Sequence, residues 1–148
     1  MSTLHLEILT IERRLFDDYV NMVIVPGSEG VLGILPRHTP LITTLSYGEL
    51  QVKMEGEPDQ FFAIGGGFME VQPFHVIVMA DSAEQAEEID VDRAEAARQR
   101  AEEYLAKAKA DRSIDLARAE AALRRSITRI KAARHRTRRE RSSRPRSG

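Results

Sequence analysis

Apolar positions in the first 80 residues fall in short or alternating runs. They are Leu4-His5-Leu6-Glu7-Ile8-Leu9, Val20-Asn21-Met22-Val23-Ile24-Val25 and Glu49-Leu50-Gln51-Val52-Lys53-Met54, then Phe61-Phe62-Ala63-Ile64, Phe68-Met69-Glu70-Val71 and Val76-Ile77-Val78-Met79. A period of two is that of a strand with one face buried. Turn formers lie between the runs: Pro26-Gly27-Ser28-Glu29-Gly30, Glu55-Gly56-Glu57-Pro58, Gly65-Gly66-Gly67 and Gln72-Pro73. Many short strands at close spacing predict a sandwich or barrel.

After Asp81 the grammar becomes Ala, Glu and Arg, which is helical composition. Ala94, Ala97, Ala101, Leu105 and Ala108 mark one apolar stripe; Leu116, Ala119, Leu123, Ile127 and Ile130 mark a second. The short polar stretch Ala110-Asp111-Arg112-Ser113 between them predicts an antiparallel helix pair. An internal repeat opens both helices, Ile89-Asp90-Val91-Asp92-Arg93-Ala94 and Ile114-Asp115-Leu116-Ala117-Arg118-Ala119. Each copy offers Asp as N-cap and Ile as the preceding hydrophobic staple. The stripes are narrow and Ala-rich, so the hairpin should be thinly packed and detachable. The fold class expected is α+β: an N-terminal β-sandwich over 1–82, a C-terminal antiparallel two-helix hairpin over 83–134, and an Arg-rich tail over 135–148. Like charges should fray the second helix from about Arg134 and leave 142–148 disordered.

Composition narrows the function classes. The absence of cysteine excludes a disulfide-stapled scaffold, a thiolate metal site and a cysteine nucleophile. The longest apolar run, Val76-Ile77-Val78-Met79-Ala80, is far short of a membrane span, and no secretory signal opens the chain. The chain is therefore expected to be soluble and cytoplasmic, reaching a membrane only through a partner. The net charge of −1 conceals a gradient. Residues 1–80 carry 4 Lys/Arg against 10 Asp/Glu, residues 81–123 carry 7 against 12, and residues 124–148 carry 11 against 1. A basic C-terminal end on an acidic body implies an acidic target for that end.

Three segments together resemble the epsilon subunit of F-type ATP synthase. They are Gly27-Ser28-Glu29-Gly30-Val31-Leu32-Gly33-Ile34-Leu35-Pro36-Arg37-His38-Thr39-Pro40-Leu41, then Gly65-Gly66-Gly67-Phe68-Met69-Glu70-Val71, and the Ile-Asp-x-x-Arg-Ala pattern beginning at Ile89. The resemblance spans about 3–133; the Arg-rich extension is longer than the family shows. It implies a non-catalytic subunit at the foot of the rotating central stalk, peripheral on the cytoplasmic face of the cell membrane. Implied partners are the gamma subunit, the c ring and the alpha/beta catalytic head, with mobile helices that regulate ATP hydrolysis. Glu29, Val31, Pro36 and His38 would lie in the c-ring and stalk contact. No cofactor is required, and ATP is implied as a regulatory ligand. The nucleotide pattern of the family falls on Glu84, Ile89, Asp90, Arg93, Ala94, Arg100, Arg118, Arg125 and Arg129.

In a hairpin turning near 110–113, Arg93 lies level with Arg129 and Arg100 with Arg125. Four converging guanidiniums repel unless an anion or carboxylates sit between them, and a triphosphate meets that need. The alternative is a solvated face on which the arginines pair with Glu88, Asp92, Glu95 and Glu103.

No catalytic group is identified. There is no phosphate-binding Gly-x-x-x-x-Gly-Lys-Ser/Thr loop, and Gly65-Gly66-Gly67 precedes a strand, so a turn or bulge is expected there. The four histidines, His5, His38, His75 and His135, are scattered without metal-ligand spacing, and no metal site is expected. A nucleic-acid module would need a basic, aromatic face, whereas residues 1–80 are acidic, so no nucleic-acid partner is expected.

Overall fold

The computed structural model describes residues 2–143, with side chains described through His135. Eight strands fill the N-terminal part: β1 (Leu4–Leu9), β2 (Arg14–Val20), β3 (Met22–Gly27), β4 (Gly30–Ile34), β5 (Leu41–Lys53), β6 (Gln60–Gln72), β7 (His75–Ala80) and β8 (Ala83–Gln85). Hydrogen bonding runs β2-β1-β7-β6-β5-β3-β4, with β8 also on β6. The β1–β7 pair is parallel and the others are antiparallel. β5 and β6 are 13 residues each and pass through both layers of the sandwich. Between the layers lie Leu6, Ile8, Val23, Leu50, Phe62, Ile64, Met69 and Val78, all essentially buried. The strict alternation of β1, with Leu4, Leu6 and Ile8 inward, turns His5 and Glu7 to the outer face.

Two expected strands, 61–64 and 68–71, are one. β6 continues without a break through the glycine triplet, with Gly66 at φ 81° and Gly67 at φ 116°. A Cβ on Gly67 would stand 2.1 Å from the Met79 carbonyl oxygen, so no other residue fits. Opposite the triplet, β7 and β8 break at 81–82, where the Gly65 amide donates to the Ser82 carbonyl at 2.8 Å. The glycines thus bend a continuous strand from one layer into the other. β2 and β4 escape the hydrophobic pattern because they are the two ends of the sheet path, where little alternation is required. β8 pairs with β6, so residues 83–85 belong to the sheet and not to the hairpin in which the sequence places them.

The expected helix pair is present as α1 (Val91–Ala110) and α2 (Leu116–Ser143). Asp90 accepts from the Arg93 amide at 3.0 Å and Asp115 from the Arg118 amide at 3.2 Å, so both copies of the repeat cap a helix. Ile89 is buried with Ala94, Ile130 and Ala133. The α1 seam is the expected one, with Ala94, Ala101 and Ala108 buried. The α2 seam is not: Leu116 and Ile127 are exposed, while Ala119, Ser126, Thr128, Ile130, Ala132 and Ala133 are buried. The reason is that α2 packs on two neighbours, α1 and the sandwich strands β5 and β6, which widens its buried arc. The hydroxyl of Ser126 is satisfied by donating to the Ala122 carbonyl at 3.0 Å.

α2 also continues to Ser143, beyond Arg134 where fraying is expected. Like-charge repulsion costs a few tenths of a kcal/mol per pair, whereas arginine is a good helix former and cations suit a helix C-terminus. The disorder expected over 144–148 lies outside the described residues.

Candidate functional site

Between α1 and α2 lies an open groove of about 520 Å³, lined by Arg93, Ala97, Arg100, Ala101, Tyr104, Ala122, Arg125, Ser126 and Arg129. Small residues on both helices keep the floor low and let the guanidiniums stand around it. The four arginines predicted to converge do so. Among the described residues, Arg93 and Arg100 have no carboxylate partner. The acids that would have neutralised them are engaged elsewhere or lie apart. Glu88 is held by Arg13 Nη2 at 2.6 Å, an ion pair that raises the Arg13 guanidinium further above its usual value. Glu95 and Glu102 are both held by Arg98, at 2.9 and 3.1 Å. Asp92 and Glu103 make no ion pair among the described residues.

The groove continues toward the sandwich through a smaller hollow of about 150 Å³, lined by Tyr47, Gly65, Ser82, Glu84, Arg125, Thr128 and Arg129 among others. Here Glu84 of β8 grips Arg129: Nη2 donates to Oε2 at 3.2 Å, and Nε lies 2.6 Å from Oε1 but off the N–H direction, so it is left without a hydrogen bond. The Arg125 guanidinium stands over the Tyr47 ring at 5.7 Å. Body and hairpin therefore both furnish groups to one site. Of the other positions in the expected nucleotide set, Asp90 caps α1, and Ile89 and Ala94 are buried in the seam beneath it. Arg118 lies outside the groove, in the first turn of α2.

The positions expected at the c-ring and stalk contact lie on two loops, at the two ends of β4. Glu29 is exposed in the β3–β4 turn and Val31 is 74% exposed at the start of β4. Pro36 and His38 are half-buried in the β4–β5 loop, where the His38 ring Nδ1 lies 2.7 Å from the Thr39 carbonyl. Arg37 is left-handed at φ 70°, and its amide donates to the Pro73 carbonyl at 2.6 Å. That bond fixes the loop against the β6–β7 turn, with Leu35 and Phe74 exposed.

Residues 3–86 match the family described as ATP synthase, Delta/Epsilon chain, beta-sandwich domain, and residues 87–134 match its long alpha-helix domain. The chain belongs to the ATP synthase delta/epsilon family. The ATP synthase epsilon chain of Desulforamulus reducens is 48% identical over 134 residues, covering 89% of this chain and 98% of its own. That of Moorella thermoacetica is 47% identical over 133 residues, covering 90% and 98%. The fold is shared with a chain of the cryo-EM structure of the Euglena gracilis mitochondrial ATP synthase, OSCP/F1/c-ring in rotational state 1. That match has a TM-score of 0.76 at 24% identity, covering 90% of this chain and 82% of that one. As a delta/epsilon chain, the protein is an epsilon-type subunit of the ATP synthase central stalk. No helix among the described residues is long and apolar enough to cross a membrane.

One feature of this delta/epsilon chain escapes a reading by sequence spacing. Two of the four histidines meet in space: His5 on β1 is level with His75 on β7, and their rings stack at 5.0 Å. Glu7 and Asp17 join them from β1 and β2. Ligand spacing rules assume neighbours in the chain, whereas these four are neighbours across a sheet.

Proposed function

We propose that this chain is a non-catalytic subunit that couples proton flow to ATP synthesis and regulates ATP hydrolysis through its hairpin, with ATP as the regulatory ligand. The observation that carries the reading is the groove: four arginines surround it, and Arg93 and Arg100 have no carboxylate partner among the described residues. A triphosphate supplies the missing negative charge and accepts paired hydrogen bonds from planar guanidiniums.

Glu84 comes from the sandwich and Arg129 from α2, so the site is complete with the hairpin docked. ATP then favours the docked state by its differential affinity, and undocking must weaken ATP binding by the same factor. Released, the hairpin would rise beside gamma, its basic residues reaching acidic loops of the alpha/beta head. The loops holding Glu29, Val31, Pro36 and His38 would meet the c ring, with the subunit peripheral on the cytoplasmic face of the cell membrane. No prosthetic cofactor and no nucleic acid enter this reading.

The test is calorimetric titration of the full chain with ATP beside the Arg125→Ala/Arg129→Ala variant. Saturable one-site binding that is lost in the variant is expected. Absence of binding at millimolar ATP would remove ATP sensing and return the arginines to partner contacts. In the assembled enzyme the same variant should also alter inhibition of hydrolysis; unchanged inhibition would separate the two roles.

A further inference from the structure

We propose that His5, Glu7 and His75 form a binding site for a divalent transition-metal ion of the zinc type on the outer face of the sandwich, with Asp17 as the outer partner of His5. The strand register builds it. His5 pairs with His75 across the parallel β1–β7 ladder, and Glu7 pairs with Asp17 across the antiparallel β1–β2 ladder. Because Leu4, Leu6 and Ile8 point inward, His5 and Glu7 share the outward face, and the chemistry of three adjacent strands converges there.

The geometry favours a compact metal site. One ligand atom each from His5, Glu7 and His75 lies within 4.8 Å of the others. The imidazoles stack at 5.0 Å with 10° between their planes. His75 Nε2 donates to Glu7 Oε2 at 2.8 Å, and His5 Nε2 is hydrogen-bonded to Asp17 Oδ1. The remaining oxygen of each carboxylate is held by one guanidinium: Arg14 lies 3.3 Å from Glu7 Oε1 and 2.9 Å from Asp17 Oδ2. Arg14 thus orients the two carboxylates from behind and leaves Oε2 and Oδ1 facing the histidines, as outer partners of metal ligands commonly do. Tyr19 stacks on the other side of His5 at 5.1 Å and fixes that ring.

Two imidazole nitrogens and one carboxylate oxygen make a three-donor set suited to an ion such as zinc or cobalt, and unsuited to calcium or magnesium, which prefer six or more oxygens. Because the rings are nearly parallel, at least one imidazole must turn about its side-chain torsions for both nitrogens to aim at one ion at about 2.0–2.1 Å, a side-chain adjustment. The ion takes the place of the proton that joins His75 to Glu7, so binding releases a proton. Three protein donors leave one position for water. The ion would tie β1 to β7. None of its residues lines the arginine groove, so the site stands or falls independently of ATP binding.

The probe is Zn²⁺ alone, titrated calorimetrically into metal-free full-length chain. Binding of one ion per chain is expected, weakened at least tenfold by His75→Gln and by His5→Gln, with unfolding of the zinc-free variants checked by thermal melts. In the unaltered protein, zinc should shift the imidazole NMR signals of His5 and His75 together and leave those of His38 and His135 in place, a readout that needs no variant. Failure to saturate at micromolar zinc, binding that survives in both variants, or perturbation of His38 or His135 instead would each overturn the proposal.

Discussion

Gly67 shows how little freedom a single residue can have. Its φ of 116° and the Met79 carbonyl, 2.1 Å from where a Cβ would sit, impose the same restriction twice. Gly67→Ala is therefore expected to destabilise the sandwich by about 3 kcal/mol, read from the midpoint of chemical unfolding. The amino acids announce a break at Gly65-Gly66-Gly67, but not that one strand continues through it. That depends on Met79 and Ser82, which the fold brings alongside. The caps Asp90 and Asp115 were legible in full, because a cap is written in four consecutive residues. Arg118 shows the limit of such local grammar: it matches Arg93 in the repeat, yet only Arg93 borders the groove.

Among the elements, the hairpin depends on its turn. Asp111 Oδ1 accepts from both the amide and the hydroxyl of Ser113, at 2.9 and 2.8 Å, and the amide bond is the main cause that holds its carboxyl below the ordinary range. A depressed carboxylate value contributes stability that is present above the unfolded value, about 3.9, and is lost as pH falls through the lower folded one. The Ser113 amide NMR shift should therefore titrate with a midpoint below about 3.9, and Asp111→Asn should abolish that inflection. The helices and their seam on α1 were readable because one face met one neighbour. Leu116 and Ile127 lie on the helical stripe yet are exposed because α2 has two neighbours, and periodicity alone does not reveal the second. The histidine cluster was unreadable for a related reason, since it depends on which strands lie side by side.

At the level of the whole molecule, the acidic body and basic α2 attract each other, and His135 is the last described side chain to fasten them. Its ring stacks on Phe61 at 3.7 Å and 6°, and its Nε2 donates to Glu49 Oε2 at 2.8 Å. His135→Ala should speed amide hydrogen exchange over the C-terminal half of α2 while leaving β5 and β6 protected, as expected for a detachable unit. Loss of protection in both would mean that the two parts unfold as one. The charge gradient that drives this docking was visible from composition; its anchor was not, because Phe61, Glu49 and His135 are far apart in the chain. The parallel ladder between β1 and β7 also sets the order of assembly. The β1–β2 ribbon can form as soon as it leaves the ribosome, but the other edge of β1 has no partner until some 55 further residues, up to His75, have been made. β1 is thus completed only after β7 has been made, and during translation its open edge is exposed to wrong pairing.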